Sequence, residues 1–264
     1  MPSFCWASFF LPQMKPFTSF SPVSMITNMK FENELISGKL IKRYKRFLTD
    51  VELDDGSLVT AHTANTGSMK TAIAPGWSVM LSKSDNPKRK LAYTLELTHN
   101  GENWIGVNTS VPNKLAYNAV EEGLIEELRG HDELKREVKI GKSRIDLMAR
   151  YGEKKCYIEV KNVSMKVQGE NVASFPDSVS TRALKHLHEL QGIVQSGGRA
   201  CMIYIIQRED VDSFTPAYDI DPEYSHEVLK AKRAGVELFA LQYSPGPSGI
   251  FFKRQLPIIL REDL

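Results

Sequence analysis

Apolar and charged positions alternate through SRIDLMARYGEKKCYIEVKNVS, residues 143–164. This period of two predicts a pair of strands, and a two-residue turn that begins with Gly152 favours a type II′ hairpin. Counting back from that turn sets Asp146 directly opposite Glu159. The apolar face would hold Ile145, Leu147, Ala149, Cys156, Ile158 and Val160, and the charged face Arg144, Asp146, Met148, Tyr157, Glu159 and Lys161.

Two carboxylates placed face to face destabilise a sheet unless a cation lies between them. Lys161 and Arg144 share the predicted charged face and could neutralise them through salt bridges. A divalent cation would neutralise them more strongly. The hairpin therefore predicts either a solvated charged surface or a metal site, and its own pattern favours neither.

Residues 38–112 form short alternating runs with turn residues between them. The run GKLIKRYKRFLTDVELDDGSLVTAHT predicts two strands joined at Asp55–Gly56, and three further short runs follow it. Five or so strands in a segment of this length predict a small β-barrel.

The pattern changes at Pro112. NKLAYNAVEEGLIEELRG predicts a helix that ends at Gly130, and a strand and the hairpin follow it. A long helix, the continuous apolar strand RACMIYIIQ, another helix and a further strand complete the order. This order predicts an α/β domain with a mixed central sheet, because the hairpin must be antiparallel.

The first residues, MPSFCWASFFLPQMKPFTSFSP, are apolar and aromatic but lack the leading basic segment of a signal peptide. We therefore expect residues 1–37 to be an extension that is disordered or that includes a start assigned too early, with Met29 opening a more ordinary segment. The predicted organisation is this extension, a barrel over residues 38–112 and an α/β domain over residues 113–264.

The composition of the 264 residues is that of a globular protein, with 42% hydrophobic and 25% charged residues. A net charge of +2 does not by itself indicate nucleic-acid binding, so any basic site must be local. Three scattered cysteines exclude a disulfide framework and a clustered zinc site, and suit a cytoplasmic location. No apolar run approaches the roughly 20 residues of a membrane span, so no membrane partner is expected.

The long helix in PDSVSTRALKHLHELQGIVQSGG places four polar residues at i, i+3, i+4 and i+7, on one face: Arg182, Lys185, His186 and Glu189. This face is either an ordinary solvated surface or a set of cations placed beside the hairpin carboxylates. In the second case a phosphodiester would lie between them.

Phosphodiester hydrolysis needs a deprotonated water and stabilisation of extra negative charge in the transition state. Carboxylates that hold Mg²⁺ or Mn²⁺ meet both needs, and a nearby lysine orients the water or stabilises the charge. Asp146, Glu159 and Lys161 have these chemistries, and the backbone carbonyl of Val160 could complete the coordination. A helix acid often joins such a site, and the candidates are Glu122, Glu126 and Glu127.

The clearest basic patch is KLIKRYKRF in the barrel. On a barrel strand its cations would meet a phosphate backbone while an aromatic ring stacks on a base, although an ordinary basic surface has the same pattern. The loop SKSDNPKRK adds cations, and HTANTGSMK resembles a tight phosphate-contacting loop. The predicted nucleic-acid contacts are Lys42, Arg43, Tyr44, Arg46, Lys88, Arg89, Lys90, Asn65 and Ser68.

Six motifs together resemble the sugar fermentation stimulation protein A family: RYKRFLTDVELDDG, ANTGSMKTAIAPG, SDNPKRKLAYTLEL, SRIDLMA, YIEVKNVS and FPDSVSTRALKHLHEL. They occur in order from about Leu40 to the last strand. The resemblance implies an N-terminal OB-like barrel, a C-terminal domain of the PD-(D/E)XK nuclease class and DNA binding.

The same resemblance implies site residues. The nuclease class has an acid at the position of Asp146 and an E-x-K motif that matches Glu159 and Lys161. Its helix acid fits best at Glu127, in EELRG. The motif on the long helix corresponds to Asp177, Arg182, Lys185 and His186.

The main functional hypothesis is a DNA-binding protein with a Mg²⁺- or Mn²⁺-dependent phosphodiesterase site. The alternative is a DNA-binding regulator of sugar metabolism genes that does not cleave. A sugar-binding effector has only the family name in its favour. DNA is favoured over RNA by the resemblance, and a homodimer is left open.

Overall fold

The computed structural model describes residues 28–141 and 143–261. After a short strand, β1 (Asn28–Met29), the barrel strands are β2 (Ile36–Tyr44), β3 (Leu48–Leu53), β4 (Leu58–His62), β5 (Ser78–Lys83), β6 (Tyr93–His99) and β7 (Trp104–Gly106). Their order in the sheet is β4-β3-β2-β5-β6-β7, and parallel pairing of Ala61 with Tyr93 closes five of them into a barrel. Alternate residues such as Val51, Val79 and Leu95 fill the barrel core.

The barrel has one turn more than the sequence pattern predicts. The run predicted as the first of two strands divides into β2 and β3, with Lys45 and Arg46 between them at φ values of 50° and 65°. Positive φ at two successive residues is the backbone of a tight hairpin turn. The basic run KLIKRYKRF therefore folds back on itself, and Arg46 is an exposed turn residue instead of a strand residue.

The second domain is built on a seven-stranded mixed sheet, with the order β1-β16-β15-β13-β10-β9-β8. Its strands are β8 (Glu133–Ile140), β9 (Ser143–Tyr151), β10 (Lys154–Val163), β13 (Arg199–Ile206), β15 (Glu237–Gly246) and β16 (Gly249–Gln255). A small sheet contains β11 (Met165–Lys166), β12 (Val172–Phe175) and β14 (Ser213–Pro216). The predicted class, an OB-like barrel followed by a mixed-sheet α/β domain, is confirmed.

Helices cover both faces of the large sheet: α1 (Pro112–Glu121) lies on one face, and α2 (Thr181–Gln195) and α3 (Pro222–Arg233) on the other. Each face has its own apolar core, one around Leu115 and Ile158 and the other around Leu187 and Tyr204. Because both faces are covered, most of the predicted charged face of the hairpin is buried or half-buried, and of its six residues only Arg144 is exposed. No helix within residues 28–141 and 143–261 is both long enough and apolar enough to cross a membrane.

The predicted hairpin forms, with Tyr151 paired to Lys154 and Gly152 at φ 57°. The ladder between β9 and β10 ends at the pair Leu147–Ile158, however, one step before Asp146 and Glu159. The side-chain pattern also changes there. Ile145 packs in the core beneath α2, on the opposite face from the one predicted, while Leu147 packs in the core beneath α1.

The first predicted helix is shorter than expected. It ends at Glu121, Gly123 follows at φ 68°, and a separate 3₁₀ turn covers Glu126–Leu128. A positive φ is readily adopted by glycine and ends a helix. Glu122, Glu126 and Glu127 therefore all lie beyond α1.

The predicted N-terminal extension needs a correction over its last ten residues. β1 pairs antiparallel with β16, and the side chain of Met29 is buried in the core beside α1. β2 already begins at Ile36. These residues belong to the folded protein because they complete one edge of the large sheet, whereas residues 1–27 lie outside the described part of the chain.

Candidate metal centre

The carboxylate of Asp146 lies where β9 and β10 separate. Its Oδ2 accepts a hydrogen bond from the backbone N–H of Val160 at 2.8 Å. Its Oδ1 accepts one from the side-chain amide of Asn113, in the first turn of α1, also at 2.8 Å. The side chain thus takes the place of a ladder hydrogen bond, which explains why regular pairing stops before this residue.

Glu159 is almost fully buried and belongs to a compact polar cluster. Its Oε1 lies 2.8 Å from the Lys161 ammonium and also contacts Nδ1 of His186. The Lys161 ammonium is 3.1 Å from the same His186 nitrogen. The other carboxylate oxygen, Oε2, is buried and has no hydrogen-bond partner among the described residues.

The two carboxylates have opposite pKa shifts. Burial, together with the charge of Glu159, raises the pKa of Asp146 above its usual value, and its two hydrogen bonds only partly offset this. Burial also acts to raise the pKa of Glu159, but the His186 hydrogen bond and the Lys161 charge outweigh it and lower the pKa. The cluster therefore keeps one carboxylate ionised and makes the other costly to ionise without a further cation.

These donors suit a hard divalent cation. Mg²⁺ binds to one or two carboxylates and keeps several waters, so it does not require a cage of protein ligands. A buried carboxylate oxygen without a partner is costly, and a cation would remove that cost. Asp146, Glu159 and the Val160 carbonyl are the groups that would hold it. Within the described chain, no three acidic, histidine or cysteine side chains are placed so that they could hold a metal ion together.

Glu127, the predicted helix acid, lies elsewhere. It is exposed in the 3₁₀ turn, and its backbone carbonyl accepts a hydrogen bond of 2.6 Å from Arg199, the first residue of β13. Arg199 in turn pairs with Glu237, at the start of β15. The residue of the first helical region that reaches the site is Asn113. Asn113 is an amide and not an acid, and the signal for it in the sequence is a polar residue directly after Pro112.

The α2 residues separate into two groups. His186 is buried against Glu159, contrary to a solvated helix face. Arg182 and Lys185 are exposed and line an open cavity of about 510 Å³ together with Ser143 and His186. Arg182 makes no ion pair with the described residues, whereas the Lys185 ammonium lies 3.5 Å from Glu189 and 3.3 Å from Ser143 Oγ. Both side chains face the open cavity, so an anion next to the buried cluster would meet Arg182 directly and would compete with Glu189 for Lys185.

Arg43 does not point to solvent as the nucleic-acid prediction requires. Its guanidinium donates to the backbone carbonyls of Asn65 and Gly67, at 2.9 and 3.0 Å, and to that of Ser68 at 3.3 Å. These bonds hold the loop that was predicted to contact phosphate. The side chain of Asn65 is buried, and its Oδ1 accepts from the backbone N–H of Gly67.

Asp177 also acts between the domains and not at the metal centre. Its Oδ2 accepts a hydrogen bond of 3.0 Å from the backbone N–H of Met69 in the barrel. The approach is so close that a Cβ atom on Gly67 would lie 2.2 Å from Asp177 Oδ1. Nearby, the buried guanidinium of Arg208 binds Asp210 and donates to the carbonyls of Thr71 and Ser164, one in each domain.

The remaining predicted contacts lie on the barrel surface. Lys42 is exposed, with its ammonium 3.7 Å from Asp50 and 5.4 Å from the centre of the Tyr44 ring. Lys88 and Lys90 are exposed in the loop before β6, and Arg89 donates to Thr94 Oγ1 at 3.0 Å. The structure thus leaves Lys42, Arg46, Lys88 and Lys90 as exposed cations.

The fold and the polar cluster define a class of protein: a closed OB barrel joined to a mixed-sheet α/β domain that buries an Asp and an E-x-K motif where two strands separate. The two domains match two family descriptions, "SfsA N-terminal OB domain" over residues 41–107 and "Sugar fermentation stimulation protein RE domain" over residues 110–249. The chain belongs to the sugar fermentation stimulation protein family.

Individual relatives agree with this assignment. The chain is 48% identical over 236 residues to a sugar fermentation stimulation protein homolog of Maricaulis maris, covering 89% of this chain and all of that one. A homolog of Pelobacter propionicus is 47% identical over 227 residues, covering 86% and 98%. Among solved structures, SfsA of Pyrococcus furiosus in complex with Ca²⁺ has the same fold, with a TM-score of 0.80 at 24% identity, covering 88% and 98%.

Proposed function

We propose that the protein binds nucleic acid, DNA in preference to RNA, and hydrolyses phosphodiester bonds with Mg²⁺ or Mn²⁺. The observation that carries this proposal is the buried Glu159 Oε2, which has no hydrogen-bond partner within residues 28–141 and 143–261 although it lies in a cluster with Lys161 and His186. An ionised oxygen left unpaired in a buried site is expected where a cation binds. Family membership supports nucleic-acid binding, as do the exposed cations on both domains.

Each residue of the cluster has a distinct role in this proposal. Asp146 and Glu159 hold the cation, with the carbonyl of Val160, and Asn113 orients the Asp146 carboxylate. The cation, when bound, lowers the pKa of its water and neutralises charge on the leaving oxygen. Lys161 orients the water or stabilises the charge on the phosphate. Arg182 and Lys185 hold the phosphate from the exposed side of α2.

A protein of the same fold in complex with a divalent cation is consistent with this proposal. The Pyrococcus furiosus protein is described in complex with Ca²⁺. Ca²⁺ and Mg²⁺ are both hard cations that prefer oxygen ligands. The carboxylate and carbonyl oxygens around Asp146 and Glu159 belong to that ligand class.

A second candidate function is a DNA-binding regulator that does not cleave. It is favoured by the fact that Glu159 Oε1 already has a cation, Lys161, at 2.8 Å. If the protein is such a regulator, the cluster of Glu159, Lys161 and His186 would only form part of a phosphate-binding surface. Binding would then be equal with and without EDTA, and would survive Asp146→Asn.

The test is cleavage of end-labelled DNA and RNA, single- and double-stranded, with Mg²⁺, Mn²⁺ or EDTA. We expect metal-dependent cleavage by the wild-type protein and its loss in Asp146→Asn, Glu159→Gln and Lys161→Ala. Glu153→Gln is the matched control, because Glu153 is an exposed acid in the turn of the same hairpin. Cleavage that persists in all three variants would point to a contaminant, and binding without cleavage of any substrate would favour the regulator.

A further inference from the structure

A polar cavity of about 220 Å³ lies at the junction of the two domains. The barrel contributes the loop Asn65–Gly67. The α/β domain contributes Asn162 and Ser164 at the end of β10, and the segment 174–180 that leads into α2. The cavity therefore exists only when both domains are in place.

Two segments of the chain connect this cavity with the candidate metal centre. Asn162, in its wall, directly follows Lys161 on β10. Thr109, also in its wall, precedes α1, whose Asn113 binds Asp146. The end of β10 and the segment before α1 thus contribute to both sites, with the side chains of Lys161 and Asn162 on opposite faces of the strand.

The chemistry of the cavity wall does not suit a phosphate. Among the described residues that line it there is no lysine, arginine or histidine, and its one charged group is the carboxylate of Asp177. The other polar groups are amides and hydroxyls. This combination repels an anion and suits a neutral group that has both hydrogen-bond donors and acceptors, which is the chemistry of a nucleobase edge.

Two amide side chains in the wall have donors to spare. Asn65 Oδ1 is used by Gly67, while Nδ2 of this buried side chain has only a contact of 3.5 Å with Ser164 Oγ. Asn162 Oδ1 accepts from Gln207 at 2.8 Å, and its Nδ2 makes no hydrogen bond with the described residues. Donors that are held in position by one bond and left without a strong acceptor are suited to a ligand.

We propose that this junction cavity binds one unpaired nucleobase of the substrate, next to the phosphodiester at the metal centre. The inference rests on the proposed function. At about 220 Å³ the cavity is smaller than the roughly 300–1,000 Å³ of sites for drug-sized ligands, so it fits a single base and excludes a base pair. The preferred substrates are single strands, overhangs and bulges, because a base that is already unpaired costs least to remove from its stack.

The test is binding in EDTA, so that cleavage plays no part, to a duplex with one bulged 2-aminopurine and to the same duplex with that base paired. We expect the bulged duplex to bind at least about tenfold more tightly, given the unstacking cost of a paired base. The 2-aminopurine fluorescence should also rise on binding.

Thr66→Tyr and Ser178→Tyr test the cavity itself. Both residues line it and are exposed, so a larger side chain fills the cavity without entering the core. Each variant should abolish the preference for the bulged duplex and keep the affinity for the paired one. Ser248→Tyr is the control, because Ser248 is an exposed serine in the turn between β15 and β16, and it should behave as wild type.

Two outcomes would overturn the inference. Equal affinity for both duplexes would do so while leaving metal-dependent cleavage of the paired duplex, and hence the proposed function, intact. Thermal stabilisation by a neutral sugar that Thr66→Tyr abolishes, without any fluorescence change on DNA, would assign the cavity to a small molecule instead.

Discussion

The side-chain amide of Asn113 donates a hydrogen bond of 2.8 Å to Asp146 Oδ1, and this contact links the start of α1 to the point where β9 and β10 separate. It orients a carboxylate whose pKa is already raised by burial and by Glu159. Asn113 is therefore a positioning residue for any cation held at Asp146.

Asn113→Ala should weaken cation binding. Loss of a group that orients a metal ligand typically costs about 10- to 100-fold in metal affinity, so proportionally more Mg²⁺ should be needed for half-maximal cleavage. The hydrogen bond also lowers the Asp146 pKa, so its removal should move the acidic limb of the pH profile to higher pH. Asn118→Ala, on the same helix, is the control, and equal effects of both variants would contradict the positioning role.

Gly67→Ala should destabilise the domain junction. The new Cβ would lie 2.2 Å from Asp177 Oδ1, and such overpacking costs about 1–3 kcal/mol. Gly192→Ala is the matched control, because nothing lies within 4 Å of a Cβ placed there and alanine favours a helix. Urea unfolding should show the first variant less stable and the second slightly more stable than wild type.

Asp210 should give the protein part of its acid sensitivity. Burial acts to raise the pKa of Asp210, but the two bonds from the Arg208 guanidinium outweigh it and lower the pKa below its usual 3.8. The unfolded chain then binds more protons in this range, so the stability that Asp210 contributes is complete above about pH 4 and is lost as the pH falls through the lower folded value.

Asp210→Asn tests this. Removal of one partner of a buried pair costs about 3–5 kcal/mol, and we expect the lower end because the Asp210 side chain is more exposed than that of Arg208. The variant should be less stable at pH 7 and should lose less stability than wild type below pH 4. The measurement is the free energy of unfolding in urea at a series of pH values. If it fell equally in the variant and in wild type below pH 4, Asp210 would not be a cause of the acid sensitivity.

Arg182 and Arg43 should respond differently to substitution. Arg182 is exposed on α2 beside the buried cluster, so Arg182→Met should weaken DNA binding. Loss of one phosphate contact should make the slope of log affinity against log salt shallower by roughly 0.9. Arg43 holds three loop carbonyls, so Arg43→Met should lower the stability of the fold. If Arg43→Met stayed fully folded and its log affinity for DNA depended less steeply on log salt, Arg43 would be a phosphate contact after all.

Local patterns were sufficient wherever a single segment decides its own structure. The alternation around Gly152 determined the hairpin and its pairing at Tyr151, because a strand repeats every two residues and glycine readily adopts the positive φ of the turn. The order of helices and strands after Pro112 likewise determined the mixed α/β sheet. The E-x-K motif on one strand brought Glu159 and Lys161 to the same face.

Tertiary structure decided which side chains meet across long separations. His186 is buried on Glu159 only because α2 packs over the hairpin, and Asp177 binds Met69 only because the two domains meet. Arg43, on β2, binds the backbone carbonyls of residues 65–68 instead of facing solvent, because the fold brings that loop against it from more than 20 residues away. Hydrophobic period and residue type define which face of a helix or strand is buried. Which element that face packs against depends on segments far apart in the chain, so local patterns do not predict it.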